Sequence, residues 1–186
     1  MIYLFQIWIH PLLNIRVKMV QLLLLMVSFV LVVLIHEGGH MVGLSIQGIS
    51  SSLHIELMPP RIYVRASTAA HDWRGFWALL AGPSANLLIA LITAAALGIY
   101  GIPLSHQGTN TALDMTRIFM WMNLIVALLS ILPAKEGLSD SDGRQMLACL
   151  EDIFPARKRL IARLGNLASW LLIALAILVT AALLIN

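Results

Sequence analysis

Four apolar runs, each long enough to cross a lipid bilayer, leave this chain few ways to fold. They cover about residues 19–43, 75–100, 111–132 and 164–185. A hydrocarbon core about 30 Å thick takes about 20 residues of α-helix, and a backbone in lipid must satisfy its own hydrogen bonds. Each run is therefore read as a spanning helix. With 60% hydrophobic and only 11% charged residues, the chain lies outside ordinary soluble usage. Arg16 and Lys18 precede the first run as they would a signal peptide, but the run is too long and ends in "IHEGGH" where a cleavage site would need small residues. The expected class is an all-α polytopic membrane protein, a single domain over residues 1–186 with about four transmembrane helices.

Basic residues set the expected orientation. Arg61, Arg65 and Arg74 follow the first run, and Lys135, Arg144, Arg157, Lys158 and Arg159 follow the third, whereas residues 101–110 carry none. The positive-inside rule puts both basic loops in the cytoplasm and both termini outside, with Arg16 and Lys18 running against it. Anionic lipid accounts for the basic excess, so no nucleic-acid partner is expected. Trp8, Trp73 and Trp77 near helix ends suit interfacial belts. A lone Cys149 excludes an internal disulfide framework.

Between the runs the pattern changes. Residues 1–17 are apolar but contain Pro11, which lacks an N–H, so this stretch is expected to break there and to be interfacial or partly inserted. The segment "SSLHIELMPPRIYVRAS" alternates over Leu53–Leu57 and again over Arg61–Arg65, the signature of a short β-hairpin. Open edges cannot face lipid, so this hairpin must sit at the membrane surface or against the helices. The loop after the third run holds Glu136, Asp140, Asp142, Glu151 and Asp152, and Arg144–Phe154 reads as a short amphipathic helix.

His36-Glu37-Gly38-Gly39-His40 matches H-E-x-x-H. Residues four apart share a helix face, so both imidazoles can reach one metal ion with Glu37 beside it. Zinc takes imidazole nitrogen at about 2.0 Å, and a catalytic site keeps three protein ligands plus one open position. There the ion brings a water to a pKa near 7, and Glu37 can act as its general base. An ionisable residue in a spanning helix costs about 2.5 kcal/mol or more, so three in five residues argue for function. Gly38 and Gly39 would admit either a second backbone near the metal or close helix packing. The third ligand is one of the five downstream acids.

The H-E-x-x-H on a spanning helix and "SILPAKEGLSDSDGRQ" after the third run together resemble the site-2 protease family of intramembrane zinc metalloproteases. The resemblance runs from about residue 10 to about 150, and it implies one zinc ion held by His36, His40 and Asp142, with Glu37 as general base. The family's usual pattern is N-x-x-P-x-x-x-x-D-G. Here Ser130 replaces the asparagine, and four extra residues separate Pro133 from Asp142-Gly143, which leaves Asp140 as the alternative ligand. "GPSAN" resembles a stretch of the family's middle core helix and implies that Asn86, with Ser130, contacts substrate or the oxyanion; interhelical bonding is the plainer reading of Asn86.

The implied activity is cleavage of a membrane-anchored protein in or near its spanning segment, close to the cytoplasmic face of a bacterial plasma membrane. The hairpin would take the unwound substrate as an added strand, and an adaptor or regulatory membrane protein could select it. The catalytic core would be residues 19–150, with the fourth span an addition. Rival readings are a membrane zincin with Glu151 as ligand, a zinc transporter, and an inactive scaffold of the same fold. His10, His54, His71 and His106 lack partners at ligand spacing and are expected to be ordinary polar residues; Asn123 is expected to pack.

Overall fold

The computed structural model describes the backbone of residues 2–58, 60–67, 72–100, 111–133 and 141–185, with side chains over 19–58, 61–67, 72–100, 113–133 and most of 141–174. It is mostly helical with one small sheet. α1 spans Ile2–Ile46, α2 Trp73–Ile99, α3 Thr111–Ile131, α4 Asp142–Ile153 and α5 Lys158–Ile185; strands β1, Ser51–Leu57, and β2, Pro60–Ala66, lie between α1 and α2. Three stretches, Met19–Ile46, Trp73–Ile99 and Leu113–Ile131, are long and apolar enough to cross a membrane, and they mark the chain as a membrane protein.

Two expectations need adjustment. The stretch expected to break at Pro11 is part of α1, which is continuous from Ile2. Proline removes one helical bond at a cost of about 3 kcal/mol, whereas ending the helix there would leave up to four N–H and four C=O groups without intrahelical partners. Continuing the helix is the cheaper outcome. The fourth expected span falls within α5 and is helical, yet the candidate spans among the described residues number three, and the side chains of residues 175–185 lie outside them.

α2 is the central element, packing against α1, α3 and α4. Small residues let its backbone approach α1 closely: a Cβ on Gly39 would lie 2.8 Å from Ala85 Cβ, and one on Gly43 would lie 2.7 Å from Ala81 Cβ. Lipid tails are as apolar as leucine, so van der Waals fit of this kind replaces the hydrophobic effect as the glue between spans. On the other side of α2, Ala90 and Leu97 meet Met120 of α3, flanked by Trp121 and Leu124. The outer face of α1 presents Met19, Leu22, Leu23, Met26, Phe29 and Val30, all exposed as lipid-facing groups should be.

α1 ends where Gly48 adopts φ +72, a left-handed turn open to glycine without strain, and the Ile49 N–H closes back on the Leu44 carbonyl at 2.9 Å. The reversal lays the hairpin on the end of α1, with Val64 and Ala66 against Leu44, Ile49 and Ala78. β1 and β2 pair antiparallel from Ser51 opposite Ala66 to Leu57 opposite Pro60, which matches the alternation in the sequence. Asp72 caps α2, accepting from the N–H groups of Arg74 at 2.9 Å and Gly75 at 3.2 Å. Ser141 caps α4, and its hydroxyl donates to the Leu132 carbonyl at 2.9 Å. Gly143 lies so near the Ile131 carbonyl that no Cβ would fit. The start of α4 is thereby pinned under the end of α3, directly before the residue that matters most to the site.

Candidate metal centre

His36 and His40 stand one turn apart near the end of α1, each only 8% exposed. Their rings meet edge to face, and their Nε2 atoms are 3.2 Å apart. Asp142, the first residue of α4, brings Oδ2 to 2.8 Å from His36 Nε2 and Oδ1 to 3.3 Å from His40 Nε2. Ligands at about 2.0–2.1 Å from a tetrahedral ion lie roughly 3.3 Å from one another. The 3.2 and 3.3 Å separations match that edge length, while the 2.8 Å contact, made by the other Asp142 oxygen, is a hydrogen-bond distance. Among the described residues this is the cluster that could hold a metal ion, and it joins side chains 106 positions apart in sequence.

The donor chemistry fits a cation. His40 Nδ1 donates to the Ala78 carbonyl at 2.9 Å, which leaves Nε2 as the bare nitrogen of a neutral ring. That bare nitrogen faces an Asp142 oxygen and the other imidazole. Lone pairs brought together in this way repel unless a cation lies among them; a proton can bridge two of the groups, a metal ion all three. Burial by itself would raise the Asp142 carboxyl, but its close contacts with the His36 and His40 imidazoles outweigh it and hold the group below the ordinary carboxylate range. Asp142 is therefore an anion available as a ligand at neutral pH. Gly82 of α2 forms the wall behind His40, where a Cβ would overlap the imidazole ring.

Glu37 points to a different neighbour. Its Oε2 accepts from the Val64 N–H of β2 at 2.9 Å. In an antiparallel pair the residues alternate between bonding their partner and facing away. The Ser67 N–H donates to the Ser50 carbonyl at 2.9 Å, so Arg65 takes the next inward position and Val64 faces outward. Glu37 thus sits at the free edge of β2, one residue from a metal-ligand candidate.

The other sequence candidates are placed as follows. Asn86 is fully buried on α2, with Nδ2 3.4 Å from His36 Nδ1, so the residue read as a substrate contact adjoins a histidine of the cluster. Ser130 donates to the Val126 carbonyl of its own helix at 2.7 Å, and Asn123 to that of Phe119 at 2.8 Å. Glu151 lies 3.3 Å from Lys158 Nζ and outside the histidine cluster. His54 bonds Ser52 at 2.9 Å and stacks on Tyr63, an ordinary polar role. Glu136, Asp140, His71 and His106, and the side chain of His10, lie outside the described residues.

Two contributors were missed in the sequence, the Ala78 carbonyl and the Val64 N–H. Both are backbone groups, the carbonyl available from any residue and the N–H from any but proline, so no residue type announced them. Compared with known proteins, the chain matches no family model, no curated protein and no solved structure.

Proposed function

We propose that this chain is a zinc-dependent intramembrane endopeptidase that hydrolyses a peptide bond in or near the spanning segment of a membrane-anchored protein. The observation that carries the reading is the meeting of His36, His40 and Asp142 around one point, with Glu37 adjacent at the free edge of β2. A zinc ion held there would supply Lewis acidity, polarising a carbonyl and lowering the pKa of a water toward 7. The chain's own residues do the rest. His36 and His40 hold ligand nitrogens in place from one rigid helix face, and Asp142 closes the set from α4. Glu37 takes a proton at its carboxylate and passes it to the leaving amine.

The outer edge of β2 suits a substrate that must unwind before it can be cut. Ile62, Val64 and Ala66 turn their backbone groups away from β1 by the alternation above, and an extended strand could bond there with little demand on its sequence. Val64 would give up its bond to Glu37 as that strand arrives. The basic loops support a site on the cytoplasmic side, and we propose a bacterial plasma membrane as its setting, with the bilayer, a membrane-anchored substrate and an adaptor or regulatory protein as partners. Ser130 belongs to the substrate-side group by resemblance, contributing from the last turn of α3.

The test is Glu37→Gln in the reconstituted full chain. Zinc content should stay at one per chain while cleavage of a membrane-anchored substrate disappears. Turnover at the unsubstituted rate would remove Glu37 from the chemistry, and a preparation that takes up no zinc would remove the metalloprotease reading altogether.

A further inference from the structure

Asn86 is completely buried, and among the described residues its Oδ1 meets no hydrogen-bond donor. A buried amide oxygen left without a donor is costly, by about 1–3 kcal/mol. Its amide nitrogen lies 3.4 Å from Nδ1 of His36, while Nε2 of the same ring lies 2.8 Å from Asp142 Oδ2. One buried amide therefore touches the far side of one metal-ligand candidate.

A neutral imidazole carries one proton on two nitrogens, and the partner of one nitrogen decides the state of the other. With its NH2 toward Nδ1, Asn86 donates, so the ring proton sits on Nε2 and is shared with Asp142. That arrangement is self-consistent, but it occupies Nε2. Turning the amide by half a revolution about Cβ–Cγ puts Oδ1 against Nδ1 instead. The proton then sits on Nδ1, and the Nε2 lone pair faces the point where His40 and Asp142 converge. The oxygen and nitrogen of an amide are nearly the same size, so one asparagine can serve both states without moving its neighbours. His40 has no such choice, because the Ala78 carbonyl can only accept.

We propose that Asn86 is the positioning residue of the metal centre, an amide that turns over to accept from His36 Nδ1–H and so presents Nε2 to the ion. The proposal rests on the metal reading of the His36–His40–Asp142 cluster and adds to it a division of labour: a fixed backbone carbonyl presets His40, and a reversible amide sets His36. Partners of this kind orient ligating histidines and fix their tautomer. Asn86 then acts through His36, and not by touching substrate.

The experiment uses the full chain in detergent, with zinc affinity measured by chelator competition. Asn86→Leu keeps nearly the same volume without an acceptor and should weaken zinc binding about 10–100-fold. Asn86→Asp can accept but cannot donate, and it should bind zinc at least as tightly as the unsubstituted protein. Neither variant is needed for the second readout: in the zinc-loaded, nitrogen-15 histidine-labelled protein, His36 Nδ1 should show a directly bonded proton. An unprotonated Nδ1, a folded Asn86→Leu protein with undiminished affinity, or an Asn86→Asp protein as weak as the Leu variant each overturns the proposal. An unsubstituted protein that takes up no zinc fails earlier and differently, by refuting the metal reading on which the proposal stands.

Discussion

The two adjacent glycines of His36-Glu37-Gly38-Gly39-His40 should respond to alanine in opposite ways. A Cβ on Gly39 would lie 2.8 Å from Ala85 Cβ and 2.9 Å from Gly82 Cα, whereas one on Gly38 would meet nothing within 4 Å. Carbon atoms rest at about 3.5–4.0 Å, so Gly39→Ala requires α1 and α2 to part by about 0.6–1.2 Å. Both histidines ride on α1, while Asp142 belongs to α4, which packs against α2. The separation therefore adds to the 2.8 and 3.3 Å spans between the imidazoles and Asp142. Metal–ligand distances tolerate only about 0.2 Å of error. Overpacking of about 1–3 kcal/mol, set against about 1 kcal/mol of helix propensity regained, leaves a protein that still folds. Chelator competition on the purified variants should show zinc affinity falling at least about tenfold for Gly39→Ala. Gly38→Ala should keep its zinc and melt at the same temperature or slightly higher. Equal zinc affinity in the two variants, or loss confined to Gly38→Ala, would refute the claim that α1–α2 contact sets the ligand geometry.

Three further outcomes are expected. Asp142→Ala should lose bound zinc while Glu151→Ala retains it, read by metal analysis of the purified chains, since Glu151 pairs with Lys158 away from the histidines. Val64→Pro removes the N–H that Glu37 accepts and that an incoming strand would take over, but no rung of the β1–β2 ladder; zinc content should hold while cleavage falls about two- to tenfold, as a backbone hydrogen bond is worth about 0.5–1.5 kcal/mol. Asp72 gives a pH signature: its bond from Arg74, with help from the Gly75 N–H, holds the carboxyl below its ordinary value. A depressed carboxyl contributes in full above its unfolded pKa, near 3.9, and loses that contribution as pH falls through the lower folded value. The drop in melting temperature between pH 6 and pH 3 should accordingly be smaller in Asp72→Asn, which keeps a neutral cap.

What the sequence revealed and what it hid follow from how local each signal is. Three of the four expected spans were legible because lipid imposes one rule on about 20 consecutive residues, and the hairpin because alternation over Leu53–Leu57 and Arg61–Arg65 is equally local. H-E-x-x-H was legible because both histidines lie on one helix turn. Asp142 was harder, one of five acids in a single loop, and only the following Gly143 distinguished it. The structure supplies the reason: α4 starts so near the Ile131 carbonyl that only glycine fits behind the aspartate. Pro11 misled because one missing bond was taken to end a helix whose flanking turns keep theirs.

The surroundings of the imidazoles were illegible for a deeper reason. His40 is oriented by the oxygen of Ala78, and Glu37 is held by the nitrogen of Val64; in both cases position in space matters and residue type does not. Asn86 did stand out, because an amide inside a spanning helix is expensive, but expense alone cannot say which neighbour it serves. A substrate contact would need an exposed amide, and packing glue would need both its atoms bonded. Asn86 meets neither description: it is sealed from the surface, beside an imidazole, with one atom unmatched. The unmatched atom can gain a partner if the amide turns over. The state with a proton on His36 Nδ1 supplies that partner.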